Sequence, residues 1–126
     1  MAKTNKLYCD GGKTKWCVVF EGGETWFSGH LHETAINDDT ESAAILNACR
    51  HAEEHSGNWV VITDSQAVID KVRGNCANAT KNPNIAGIRN ILKRAKESPL
   101  PVSIELKWMK RLSTPEMRRA DEGCRE

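Results

Sequence analysis

The 126-residue sequence lacks the marks of several protein classes. No apolar run approaches the length of a membrane-spanning helix, and residues 1–6 contain no apolar signal-peptide core. The five cysteines are odd in number and include no Cys-x-x-Cys pair, so neither a disulfide framework nor a zinc site is indicated. No internal repeat, low-complexity tract or linker interrupts the chain. We therefore expect one cytoplasmic, monomeric domain over residues 1–126.

Charge of one sign is not in excess either. Lys and Arg number 18 against 17 Asp and Glu, which gives a formal net charge of +1. The cations are unevenly distributed, because nine of them lie from Lys93 onward. Such a cluster could form a nucleic-acid-binding surface, although basic residues on a solvated helix face are the commoner explanation. The net charge therefore does not indicate what kind of molecule the protein binds.

Two carboxylates stand where predicted buried strands end. Asp10 follows the apolar run Leu-Tyr-Cys and precedes Gly11 and Gly12, whereas Asp64 follows the near-continuous run Trp-Val-Val-Ile-Thr. Each Asp has a simple structural explanation, a hairpin turn for Asp10 and a helix N-cap for Asp64 or Ser65. However, a strand followed by a helix places its last residue at the carboxyl edge of a sheet, where open α/β folds bind ligands.

Two further carboxylates lie on predicted helices. Glu41 follows a polar stretch of capping residues at 37–40, in the first turn of a helix, where the helix dipole favours a negative charge. It also continues the apolar stripe of Ala44 and Ile45, which turns it towards the sheet. Asp121 lies on a short last helix. Several acids converging on one point would repel each other unless a cation sat between them.

The predicted order of elements is three antiparallel strands, a helix, a strand, two helices, a half-exposed edge strand over 102–108 and a final helix. With the four acids in this order, the chain resembles a single-domain, type 1-like ribonuclease H of the compact bacterial kind. The order and spacing of the four acids match the family across nearly the whole chain. The matching stretches are Tyr-Cys-Asp-Gly-Gly at Asp10, Thr-Glu-Ser at Glu41, Ile-Thr-Asp-Ser-Gln at Asp64 and Arg-Arg-Ala-Asp-Glu at Asp121. Each fragment alone is weak, but four in the right order are a strong signal.

The resemblance implies an α/β, ribonuclease H-like fold: a five-stranded mixed sheet of order 3-2-1-4-5 with helices on both faces. It also implies an endoribonuclease that hydrolyses the RNA strand of RNA–DNA hybrids with two Mg²⁺ ions, for which Mn²⁺ is a possible substitute. The expected products carry 5′-phosphate and 3′-hydroxyl ends. The implied catalytic and metal-binding residues are Asp10 as the bridging ligand, Asp121 on the nucleophile side, and Glu41 with Asp64 on the leaving-group side.

By position, the resemblance also implies substrate-binding residues. Gly11, Gly12, Glu41 and Gln66 fall where the RNA strand is contacted, and Asn37 and Thr80 fall near the DNA strand. For Asn37 and Gln66, a loop or capping role is an equal alternative. A hybrid is the expected partner, with no membrane and no protein partner indicated.

The sequence departs from the family pattern in the loop before the last helix. Many relatives carry a Gly-His pair there, whereas this loop reads Lys-Arg-Leu-Ser and holds no histidine. The compact bacterial group also lacks that histidine and places a Glu before the final Asp. Glu116 is the auxiliary candidate here, at a spacing of five from Asp121. The chain also has Asn37-Asp38 where relatives often have paired Asn, which adds a negative charge near the expected DNA strand.

Two other readings remain open. Junction resolvases, transposase cores and proofreading exonucleases share this fold and acid cluster, although the exonucleases usually carry Asp-x-Glu on the first strand and the others are usually longer. A nucleic-acid-binding module that has lost its metals is the non-enzymatic alternative. The presence of all four acids argues against that module.

Overall fold

A computed structural model describes residues 3–31, 37–74, 82–99 and 102–125, with only the backbone of residues 37 and 38. Its sheet contains five strands in the order β3-β2-β1-β4-β5, as expected. β1 pairs antiparallel with β2 and parallel with β4, β2 pairs antiparallel with β3, and β4 pairs parallel with β5. The strands are β1 (Thr4–Gly11), β2 (Lys15–Phe20), β3 (Trp26–His30), β4 (Gly57–Thr63) and β5 (Val102–Trp108).

Helices cover both faces of the sheet, which confirms the predicted architecture. They are α1 (Asn37–His55), α2 (Gln66–Val72), α3 (Pro83–Glu97) and α4 (Pro115–Gly123). The larger core cluster joins one face of the sheet to α1, α2 and α3, and it includes Leu7, Ile45 and Ile88. The smaller cluster joins the other face to α4 and includes Tyr8 and Met117. Among the helices in the described ranges, none is long and apolar enough to cross a membrane.

Side-chain caps fix where two of the helices begin, and the first of them was predicted as Asp64 or Ser65. Ser65, rather than Asp64, caps α2 by accepting a hydrogen bond from Val68 N, and Thr114 caps α4 ahead of Pro115. Helix α1 differs, because it begins at Asn37 and takes in the stretch that the sequence predicts to precede it. The carbonyl of Asp39 accepts hydrogen bonds from the Ser42 hydroxyl and the Asn84 amide, so contacts within α1 and with α3 hold this first turn.

The register of β1 and β4 brings two of the four acids to one edge. Cys9 pairs with Thr63 in the parallel ladder, so the next residues along the two strands, Asp10 and Asp64, lie side by side. The adjacency predicted from two neighbouring strand ends is therefore observed. This edge is the carboxyl end of both strands.

Candidate metal centre

Asp10 lies at the middle of the acidic cluster and is almost buried, with 7% of the residue exposed. Its Oδ1 accepts a hydrogen bond of 2.9 Å from the backbone N–H of Gly11. The pKa of Asp10 is raised from 3.8 to about 7, first by burial and then by the negative charges of Asp64, Asp121 and Glu41, while the hydrogen bond from Gly11 acts in the opposite direction. All three of the other predicted acids therefore lie close enough to act on Asp10.

Glu41 and Asp64 complete an all-carboxylate group with Asp10. One carboxylate oxygen from each of the three lies within 4.8 Å of the others. Burial raises the pKa of Asp64, while the charge of Arg111 lowers it. The indole N–H of Trp108 donates a 3.1 Å hydrogen bond to the Asp64 carbonyl, which ties the end of β5 to the turn that carries this acid.

Glycines 11 and 12 let α1 and α4 approach the end of β1 closely. A Cβ at Gly11 would overlap the backbone of Glu41 and lie 2.7 Å from the Thr40 Oγ1, and a Cβ at Gly12 would overlap the Cys124 carbonyl. The Thr40 hydroxyl donates a 2.6 Å hydrogen bond to the Gly12 carbonyl and holds the two elements together. These glycines therefore set the spacing between Asp10 and Glu41, whatever they contact in a substrate.

Asp121 reaches the cluster from the opposite face of the sheet, on α4. Arg111 Nη2 lies 3.3 Å from its Oδ1, and Arg125 Nη2 lies 2.6 Å from its Oδ2. Ligand atoms of Asp10, Asp121 and Cys124 form a second group within 4.8 Å. The Cys124 thiol is 3% exposed, and burial with the charges of Asp10 and Asp121 raises its pKa to about 12. The two potential metal-binding groups share Asp10.

Four pocket residues were missed by sequence reasoning: Lys13, Arg111, Cys124 and Arg125. The spacing of Cys124 and Arg125, three and four residues after Asp121, places them on the same helical face and could have signalled them. The pocket has a volume of about 610 Å³. The residues that line it are Asp10, Gly11, Gly12, Lys13, Glu41, Asp64, Arg111, Asp121, Cys124 and Arg125.

The remaining candidate site residues lie elsewhere or outside the described residues. Gln66 is exposed, and its Nε2 donates a 2.9 Å hydrogen bond to Asp70 on its own helix. Glu116 is not among the described residues that line the pocket, because its Oε2 accepts a 3.2 Å hydrogen bond from Gly22 N at the β2–β3 turn. The Asn37 side chain and Thr80 lie outside the described residues.

The donor atoms fit a hard divalent cation. Asp10, Glu41 and Asp64 offer oxygen ligands only, which is the set that Mg²⁺ and Ca²⁺ prefer. Without a cation, the three carboxylates repel one another, and this repulsion contributes to the raised pKa of Asp10. A divalent ion bound between them would offset the repulsion. The second group includes a protonated thiol, which is a poor ligand for Mg²⁺.

No protein-family model and no curated protein matches this chain. Solved structures do match. LC11-RNase H1, isolated from compost, superposes with a TM-score of 0.69 at 22% identity over 97% of this chain and 92% of its own. RNase H1 from the halophilic archaeon Halobacterium salinarum superposes with a TM-score of 0.68 at 18% identity, over 96% of this chain and 94% of its own. An N-terminal RNase H domain from Mycobacterium tuberculosis superposes with a TM-score of 0.68 at 14% identity, over 96% of this chain and 93% of its own. The chain therefore has the RNase H fold over nearly its whole length, with an acidic cluster that could bind metal at the edge of the sheet.

Proposed function

We propose that this protein is a Mg²⁺-dependent endoribonuclease that hydrolyses the RNA strand of RNA–DNA hybrids. The observation that carries the proposal is the convergence of Asp10, Glu41, Asp64 and Asp121 from four different elements on one open pocket. The fold supports it, because similar structures with this topology are RNase H1 proteins and RNase H domains.

The four carboxylates would hold two divalent ions in this proposal. Asp10 belongs to both potential metal-binding groups, which suits a bridging ligand. Glu41 and Asp64 complete one group, and Asp121 supplies the other. Bound Mg²⁺ would activate the attacking water and stabilise the leaving 3′ oxygen, which gives 5′-phosphate and 3′-hydroxyl ends. Mn²⁺ also prefers oxygen ligands, so we expect it to substitute.

The chain's own residues would position the substrate. Lys13, Arg111 and Arg125 line the pocket beside the acids, and cations at this place can hold the phosphates on either side of the cut. Gly11 and Gly12 stand at the pocket wall, where backbone without side chains leaves room for an RNA strand. Contacts from Gln66, Asn37 and Thr80 are part of the same proposal.

A panel of labelled substrates tests this function. RNA–DNA hybrid, duplex RNA, duplex DNA and a four-way junction are each incubated with the protein in Mg²⁺ or in EDTA. We expect cutting of the RNA strand of the hybrid alone, in Mg²⁺ alone, and new ends that a ligase joins without phosphatase or kinase treatment. Cutting of the junction would instead indicate a resolvase, and binding to the hybrid without cutting would indicate a non-catalytic module.

A further inference from the structure

Two arginine side chains contact the Asp121 carboxylate. Guanidinium groups engage both of its carboxylate oxygens, Arg125 at 2.6 Å from Oδ2 and Arg111 at 3.3 Å from Oδ1. The Asp121 side chain is only 10% exposed, so these contacts lie largely out of bulk water on the carboxylate side. A buried carboxylate with two charge-assisted hydrogen bonds is already well neutralised.

The two arginines are held much less firmly than the acid. Their side chains are 66% and 68% exposed, so each guanidinium can leave the carboxylate for solvent without opening the core. Because the guanidinium side of each pair is solvated, each pair contributes only modestly to folding. The pairs are therefore well placed for exchange.

Divalent ions and guanidinium groups would compete for the same carboxylate oxygens of Asp121. The potential metal-binding group formed by Asp10, Asp121 and Cys124 uses a carboxylate oxygen of Asp121. Arginine stays charged at every working pH, so the competition persists at all of them.

We infer that Arg125 acts as an internal competitor for metal at Asp121, and that Arg111 assists it. In the free protein, the guanidinium groups take the place of a cation on that side of the cluster and lower the affinity for a second divalent ion. The inferred competition concerns the Asp121 side of the cluster. The inference rests on the proposed function only in that the cluster binds divalent metal.

Mn²⁺ binding to the free protein, followed by electron paramagnetic resonance at about 0.15 M salt, tests this inference without any cleavage assay. Arg125→Gln is expected to tighten the weaker Mn²⁺ dissociation constant by about two- to fivefold, the equivalent of losing one partly exposed ion pair. Arg111→Gln should act in the same direction with a smaller effect, because its contact is longer. Arg119→Gln is the matched control, since it removes the same charge at a position two residues before Asp121, but its guanidinium lies over the Trp26 ring at 4.3 Å.

A double-mutant cycle separates the pair from a general charge effect. In an Asp121→Asn background, Arg125→Gln should leave the Mn²⁺ dissociation constants unchanged. Unchanged or weaker binding in Arg125→Gln, or equal tightening in Arg119→Gln, would overturn the inference. If the wild type cuts hybrids but Arg125→Gln binds Mn²⁺ no tighter, the inference fails and the proposed function stands. Tighter binding by Arg125→Gln in a protein that cuts no hybrid would refute the proposed function alone.

Discussion

Replacing Asp10 by Asn should stabilise the metal-free protein, and more so at high pH. The carboxyl group titrates near 3.8 in the unfolded chain and at about 7 in the fold. Because the folded pKa is the higher one, ionisation opposes folding, and the penalty grows from about pH 4 until it levels off above pH 7. At roughly 1.4 kcal/mol for each unit of pKa, the penalty is about 2 kcal/mol at pH 5 and about 4 kcal/mol at pH 8.5.

Urea unfolding in EDTA measures this effect. The stability of Asp10→Asn minus that of the wild type should be about 2–3 kcal/mol larger at pH 8.5 than at pH 5. The change with pH is the decisive quantity, because it is independent of how well the asparagine amide packs. Asp70→Asn, the same substitution on α2 away from the pocket, is the control, and its effect should stay within about 0.5 kcal/mol at both pH values. An Asp10→Asn effect that is equal at the two pH values would refute the burial of Asp10 among these acids.

The same pair of proteins should respond differently to Mg²⁺. A ligand that binds only the folded state stabilises it in proportion to the logarithm of its concentration over Kd. Mg²⁺ should therefore raise the stability of the wild type at pH 8.5 and have much less effect on Asp10→Asn, which lacks the ligand shared by both groups. An equal response of the two proteins to Mg²⁺ would place the metal elsewhere.

Two substitutions near the site should separate packing from catalysis. Gly11→Ala should destabilise the fold by about 1–3 kcal/mol in urea, because its Cβ would overlap the backbone at Glu41 and force α1 away from β1; a loss below about 0.5 kcal/mol would show that the contact yields easily. Glu116→Gln should leave hybrid cleavage within about twofold of the wild type, because the Glu116 carboxylate is bonded to Gly22 N outside the pocket and Gln can still accept that bond. A tenfold loss in that variant would instead support an auxiliary role for Glu116.

The parts of the site that could be predicted are those fixed by chain order and strand direction. Asp10 and Asp64 each follow a buried strand, and parallel pairing of β1 and β4 places both at one edge. Glu41 was predicted to face the sheet because it continues the apolar stripe of α1, and the structure places its carboxylate with those of Asp10 and Asp64. Strand ends were sufficient for Asp10 and Asp64, and helical periodicity was sufficient for Glu41, because it determines which face of a helix a residue occupies.

Side-chain contacts across elements could not be predicted in the same way. The bond of Glu116 to Gly22 depends on how α4 is rotated over β2, which the spacing to Asp121 does not reveal. The pairing of Arg111 with Asp121 depends on the course of the loop before α4, in which Leu112 adopts a positive φ of 58° without a glycine to signal it. Long charged side chains can reach in several directions, so their partners are known only once the surrounding elements are in place.

The most direct test of the central claim is the initial rate at which Asp10→Asn cuts the RNA strand of an RNA–DNA hybrid in Mg²⁺, compared with the wild type. If Asp10 is the ligand common to both metal-binding groups, its loss should lower the rate by at least about 10³-fold, a cost of roughly 4 kcal/mol in the transition state. The variant should keep its fold and its affinity for the hybrid. A rate within tenfold of the wild type would contradict the claim that this acidic cluster is the catalytic centre.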